Sequence, residues 1–326
     1  GVQIRLDSRI ENPPLAFSDQ EALLDHLDSV RVGATWNMQE AARASLEDLE
    51  IHVDVTGDIS VSVSGSVELV DNALHGAKGM IKVKAQSLAQ FDGLAGRPLP
   101  PWSPVALDAQ FAGTAENWKL DDLVIGLGRA RLKGQGEWSQ GKKVPHFALR
   151  LNADDLSLIE ASKAFRKEAP VQSTPAVAEP APDSGVDWAW LSTMQADLDL
   201  TASRVFLGKG WVGRDLSFKM NWGGGVLHGP SLDVNWPKGG LELRGYVDAR
   251  SEQPALELGL AAHGLDMQAI AGWMGQPRAI TGEAELVLDL KTQGDSRTSL
   301  IAGLDGTALL HVSHGTVLDR YADALQ

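Results

Sequence analysis

The chain has 326 residues, a net charge of −14 and a pI near 5.0, so it lacks the basic surplus that displaces counterions from phosphate. That argues against nucleic acid as a partner and against electrostatic docking on anionic headgroups. With no cysteine it can have no disulfide, cysteine nucleophile or thiolate metal site, and with 43% hydrophobic and 22% charged residues it has the composition of a folded protein long enough for two domains.

No stretch approaches the roughly 18 apolar residues of a membrane span, and no signal peptide precedes the first strand. The chain opens at Gly1 and stops at Gln326, and it reads as a segment of a longer protein whose membrane association lies in a part not present here.

In chain order, the first helical pattern covers Asp19 to Val30, with Leu23, Leu24 and Leu27 on one side and Ser18 as N-cap. Ile59-Ser60-Val61-Ser62-Val63-Ser64 alternates with the period of a half-buried strand. Ser87 to Leu94 predicts a short helix, and Asp121-Asp122 reads as a pair of solvated turn caps, as does Asp154-Asp155. Pro145, Phe147, Leu149, Leu151, Leu156 and Leu158 share their spacing with Pro254, Leu256, Leu258, Leu260, Leu265 and Met267. Upstream, Leu132 with Gly134 is matched to Leu243 with Gly245, and downstream each copy runs into a helical pattern, Leu156 to Phe165 and Met267 to Met274. The repeated unit is strand, turn, strand and short helix, which suggests stacking into one continuous sheet.

Between the copies, Lys167 to Val186 carries Pro170, Pro175, Pro180 and Pro182 among Ala, Ser, Glu and Asp. It predicts a flexible, extended linker between residues 1–166 and 187–326. Beyond it, strands are predicted from Leu198 and Leu200, from Leu216, Phe218 and Met220, from Leu256, Leu258 and Leu260, and from Leu286, Leu288 and Leu290. Ser299 to Leu304 predicts a short helix. Helices are too sparse for a parallel α/β fold, so the expected class is mainly β, an antiparallel sheet of repeated strand units.

Chemical motifs are few. Gly208-Lys209-Gly210-Trp211-Val212-Gly213 fits the dinucleotide pattern, but a strand rather than a helix follows, so the glycines read as a hairpin turn. His311 and His314 are three apart on a strand and face opposite ways, which prevents a shared metal. No pattern calls for a catalytic residue, a metal or a cofactor, and the chain is read as not an enzyme.

The order of features from Ala196 to Leu318 resembles the C-terminal region of the AsmA family. Leu198-Asp199-Leu200 leads to Leu216-Ser217-Phe218-Lys219-Met220, then Leu232-Asp233-Val234 and Gly239-Gly240-Leu241-Glu242-Leu243-Arg244-Gly245. Pro254 opens Leu256-Glu257-Leu258, followed by Gly264-Leu265-Asp266-Met267, Thr281-Gly282-Glu283-Ala284-Glu285-Leu286 and Ser299 to Gly306. Leu310-His311-Val312-Ser313-His314-Gly315-Thr316-Val317-Leu318 closes the series, and Asp305 stands where the family pattern often has Asn. The resemblance implies a periplasmic protein of the Gram-negative envelope, its parent anchored in the inner membrane. It implies an elongated, curved sheet with an apolar concave groove, a role in phospholipid movement and outer-membrane biogenesis, and no catalytic residues.

On this reading acyl chains lie on the apolar face of the sheet, lined by Leu198, Leu200, Leu216, Phe218, Met220, Leu256, Leu258, Leu260, Leu286 and Leu288. Phospholipid or another acyl-chain ligand is the expected partner, with envelope proteins as further partners. A closed sandwich core would produce the same alternation. The alternatives in function are a scaffold that assists outer-membrane protein assembly through a sheet edge and a carbohydrate-active enzyme with converging carboxylates.

Overall fold

The computed structural model describes residues 2–11, 27–40, 43–55, 58–71, 73–91, 102–141, 143–157, 185–186, 188–208, 211–268 and 280–317. The chain forms two compact units, Gly1–Val171 with Phe206–Gly208, and Gln172–Val205 with Lys209–Gln326. The predicted linker falls almost wholly outside the described residues; its last two residues, Gly185 and Val186, are hydrogen-bonded, as shown below.

The first unit carries β1 (Val2–Glu11), β2 (Leu27–Glu40), β3 (Arg43–Val55), β4 (Ile59–Val70), β5 (Ala73–Ala85), β6 (Val105–Gly113), β7 (Asn117–Leu127), β8 (Ala130–Ser139) and β9 (His146–Ser157). A 3-10 turn, η1 (Leu88–Phe91), joins β5 to β6. The second carries helix α1 (Trp190–Thr193), β10 (Gln195–Gly208, except its last three residues, which belong to the first unit), β11 (Trp211–Gly223), β12 (Val226–Trp236), β13 (Gly239–Asp248), β14 (Ala255–Asp266), β15 (Ile280–Gln293), helix α2 (Arg297–Ala302) and β16 (Asp305–Val317). In each unit the strands are hydrogen-bonded in chain order, and the ladders are antiparallel meanders, as the alternation and frequent turn residues predict. The molecule is mainly β.

Directly opposed residues of an antiparallel ladder point to the same face, so the register shows how the sequence sorts itself. In the first unit one face carries Val30, Val53, Val61, Val83, Leu107, Ile125, Leu132 and Ala153 as one row across β2 to β9. The opposite face carries Arg31, His52, Ser62, Lys82 and Asp108 as its row across β2 to β6. The described strands belong to one sheet in chain order, and no described strand of either unit belongs to a second sheet. The closed sandwich core is therefore not what these residues build.

Bulges keep the apolar face in phase. In β3 the register passes from Leu46 opposite Val67 to Leu49 opposite Gly65, and in β7 from Leu120 opposite Gly136 to Leu123 opposite Gly134. In β11 it passes from Arg214 opposite Asn235 to Ser217 opposite Asp233. Each strand gains one residue, and the gain is centred on an aspartate in the left-handed region: Asp48 (φ 50°), Asp122 (φ 49°) and Asp215 (φ 54°). Asp tolerates that region because its short polar side chain hydrogen-bonds locally. Without the extra residue, Leu49, Ile51 and Val53 would swing to the wet face. This corrects the reading of Asp121-Asp122 and Asp154-Asp155 as turn caps: the first pair forms a mid-strand bulge, and the second lies inside β9.

The internal repeat is present with a shifted match. Leu132 opposes Ala153 and Gly136 opposes Leu149, as Leu241 opposes Ala262 and Gly245 opposes Leu258. Leu132 thus corresponds to Leu241 and Gly136 to Gly245, two residues away from the pairing expected of the sequence. The glycine is needed at 245, where a Cβ would press on the carbonyl oxygen of Gly229 at 2.9 Å and Pro230 Cδ at 3.0 Å, the bulge of β12.

Of the predicted helices, Ser87 to Leu94 is met by η1 and Ser299 to Leu304 by α2, which starts two residues earlier behind a Ser296 cap. The end of the Asp19 to Val30 pattern is strand, because Leu27 to Val30 belong to β2. In Leu156 to Phe165, Leu156 closes β9, and in Met267 to Met274 only Met267 and Gln268 are described, as helical. The rest of these segments lies outside the described residues.

Candidate functional site

The apolar face of the second unit is built from four rows. Phe218, Leu232, Leu243, Leu260, Leu288 and Ala308 oppose one another in turn across β11 to β16. Val234, Leu241, Ala262, Leu286 and Leu310 form the next row, with Leu216 beside Val234. On the other side run Gly245, Leu258, Leu290 and Gly306, then Trp222, Leu227, Val247, Leu256 and Thr292.

Of the residues singled out in the sequence, Leu216, Phe218, Met220, Leu256, Leu258, Leu260, Leu286 and Leu288 share this face. Leu198 and Leu200 belong to the less exposed series of β10 with Ala196 and Ala202. Sequence reasoning missed Leu232, Val234, Leu241, Leu243 and Leu290 as members of the same surface. Their alternation was visible, but in β12 it is interrupted by the extra residue at Gly229 and Pro230.

The face is graded in depth. Leu216 and Val234 are buried, at 3% and 2% exposure, while Leu258 is 37% and Leu310 56% exposed. The end of the face, where odd-numbered strands finish, is closed. There α1 packs on β11 and β12, with Leu191 fully buried and Trp190 edge-on to Trp222 at 5.6 Å between ring centroids. Thr292 donates its hydroxyl to the Leu300 carbonyl of α2 at 2.5 Å. The Val186 N–H donates to the Asp295 carbonyl and Gly185 bridges Ser296, so the segment leading into α1 is tied to the start of α2.

The opposite face is wet and charge-paired. Arg244 bonds Asp233 at 2.8 Å, Lys291 meets Glu257 at 3.2 Å and Lys238 meets Glu283 at 3.0 Å, all exposed. Such pairs contribute at most about 1 kcal/mol each. The carboxyl of Asp248 is held down to about 2, first by its hydrogen bonds from the Arg250 side chain.

In the first unit the polar face carries a Ser-His-Asp contact that the sequence did not announce. His52 Nδ1 lies 2.7 Å from Ser62 Oγ and its Nε2 3.0 Å from Asp54 Oδ1, while Ser29 donates to Asp54 at 3.0 Å. Of these, His52 and Ser62 border a hollow of about 930 Å³ with Arg31, Glu50 and Lys82. Ser62 lies mid-strand between β3 and β5, where backbone N–H groups serve the ladders. Acyl transfer needs free donors aimed at an oxyanion, and the ladder supplies none at Ser62. No group of three or more His, Asp or Glu side chains among the described residues could hold a metal, and none of the described helices is long and apolar enough to cross a membrane.

In each unit the described strands form one antiparallel sheet with an apolar and a polar face. The model of the AsmA family matches residues 138–322, more than half of the chain, and the chain belongs to that family. No curated protein matches it, and no solved structure does.

Proposed function

We propose that this chain is a non-enzymatic part of a periplasmic envelope protein, its parent anchored in the inner membrane. In this reading it binds or conducts phospholipid for outer-membrane biogenesis. The observation that carries the reading is the Leu-rich face of β11 to β16, which leaves Leu258 and Leu310 exposed. In it the sheet curls into a trough, acyl chains lie along the rows headed by Phe218 and Leu216, and headgroups stay in water. Each methylene that leaves water contributes about 0.8 kcal/mol. Such contacts are non-directional, so a chain slides from one leucine to the next with little preference for its headgroup, which suits transport. Membership in a family associated with the envelope supports the setting.

The test is mass spectrometry of lipid retained after detergent-free purification. Stoichiometric phospholipid is expected, lost in a Leu258→Asp, Leu288→Asp double variant that keeps its fold. A lipid-free wild-type chain that also fails to take up added phospholipid would contradict the reading.

A second reading rests on β16. Leu309 and Leu310 point to opposite faces and are 64% and 56% exposed, and the 13-residue strand has no Lys or Pro to discourage pairing. A scaffold that docks an assembly partner by strand addition would use this edge.

A further inference from the structure

The closed end of the apolar face contains two polar groups that nothing described so far uses. The indole Nε1 atoms of Trp188 and Trp222 are both buried, and neither finds an acceptor among the described residues. An indole nitrogen can only donate, and a buried donor left unpaired destabilises the fold. Trp236, by contrast, donates its indole to the Gly264 carbonyl at 3.0 Å. The two unpaired donors are not scattered. Trp222 ends the row that continues through Leu227, Val247 and Leu256, and Trp190 stacks edge-on against it. Trp188 lies on the segment that closes this end, its carbonyl accepting the Leu191 N–H at 3.1 Å, and the Leu191 carbonyl accepts the Gly225 N–H of the β11–β12 turn at 3.1 Å. Two donors therefore stand where an apolar surface stops.

We propose that Trp188 and Trp222 form a hydrogen-bond donor site for the polar end of a bound amphiphile, their N–H groups donating to ester-carbonyl or phosphate oxygens while the chain extends over Leu227 and Leu256. The inference rests on the acyl-chain reading above and adds a fixed end point to it: lipid slides along the leucine rows and is held at the tryptophans.

The experiment compares two single-chain probes, each below its micelle-forming concentration, by titration calorimetry on the whole chain. Dodecylphosphocholine offers phosphate oxygens; dodecyltrimethylammonium has the same chain and no acceptor. Trp188→Phe and Trp222→Phe keep an aromatic ring and remove the N–H. Each is expected to weaken dodecylphosphocholine about tenfold, the loss of one hydrogen bond to a charged acceptor, and to leave dodecyltrimethylammonium within about twofold. Inorganic phosphate alone is expected not to displace the phosphocholine probe. Unchanged phosphocholine affinity in both variants, with the wild type binding both probes, overturns the tryptophan site and leaves the acyl-chain reading standing. Displacement by inorganic phosphate overturns the amphiphile assignment. Failure of the wild type to bind either probe removes both readings together. Should a Phe variant not fold, benzothienylalanine at the same position, which exchanges the N–H for sulfur in a ring of the same size, makes the comparison.

Discussion

The two units solve the same packing problem with different side chains. In the first, two rows across β2 to β5 are wholly Val and Ile, Val30-Val53-Val61-Val83 and Val32-Ile51-Val63-Ile81, and the end of the face is filled by a small knot in which Leu88 and Phe91 of η1 pack on Ile59, Ala85 and Val105. In the second, the rows are mostly Leu, and the closed end is tryptophan held by a short helix. Branched side chains are stiff at χ1 and make a shallow, fixed surface. Leucines are longer and can change rotamer, so the second face can mould to a chain lying on it. The lesson is that one alternation rule can build both a structural surface and a deformable one, and the choice of side chain decides which.

The sharpest way to break this comparison is to charge a position that is structural in the second unit. Val234 is 2% exposed, so Val234→Asp should cost about 3–5 kcal/mol by urea denaturation. Leu258→Asp, at a position 37% exposed, should cost no more than about 1 kcal/mol while still weakening acyl-chain binding. Equal costs would mean that the second face is an ordinary core. Next comes the contrast between the closed ends. Phe91→Ala should cost about 2 kcal/mol, less than a fully buried Phe, while Trp190→Ala, at 41% exposure, should cost less than about 1 kcal/mol in thermal melts.

The bulges should behave alike in both units. Asp122→Ala and Asp215→Ala put a Cβ without a local hydrogen bond into the left-handed region, at about 1 kcal/mol each. The matching Gly variants should stay within about 0.5 kcal/mol of wild type. A response in one unit alone would show that the bulges are not equivalent.

The smallest effect concerns acid. Because Arg250 lowers the folded-state pKa of Asp248 to about 2, this carboxylate stabilises the fold in full above its ordinary range. The contribution disappears as pH falls from about 4 through 2. Asp248→Asn should therefore lose a small, constant amount of stability above about pH 4 and converge with wild type toward pH 2, as read from unfolding curves taken between pH 2 and 7.

Much of this was legible in the sequence. Ile59 to Ser64 and the leucines of β14 and β15 named their own face, because alternation with period two is the geometry of the strand itself. The repeat was legible as spacing, but its first strand was matched two residues out because Leu-Gly recurs every few residues and only the ladder fixes which glycine faces which leucine. The bulges were missed although they are written plainly: Leu46-Glu47-Asp48-Leu49 and Leu120-Asp121-Asp122-Leu123 show two acidic residues between leucines, with the apolar phase reversed across them. Adjacent aspartates suit a turn as well as a bulge, because turns use the same left-handed backbone. The tryptophan end could not be read at all, since Trp190 and Trp222 meet only through the fold.

The central claim is that one face of the second unit, and not the other, carries the acyl chain. A phospholipid with a diazirine in its acyl chain, irradiated with the purified protein and mapped by mass spectrometry, tests it directly. The account predicts crosslinks to Leu243, Leu260 and Leu288 and none to Ala261 or Val287, which lie on the wet face one residue away, Val287 being apolar and 42% exposed. Labelling of Val287 to the same extent as Leu288 would show that lipid adheres to whatever apolar surface is open, and would contradict the account.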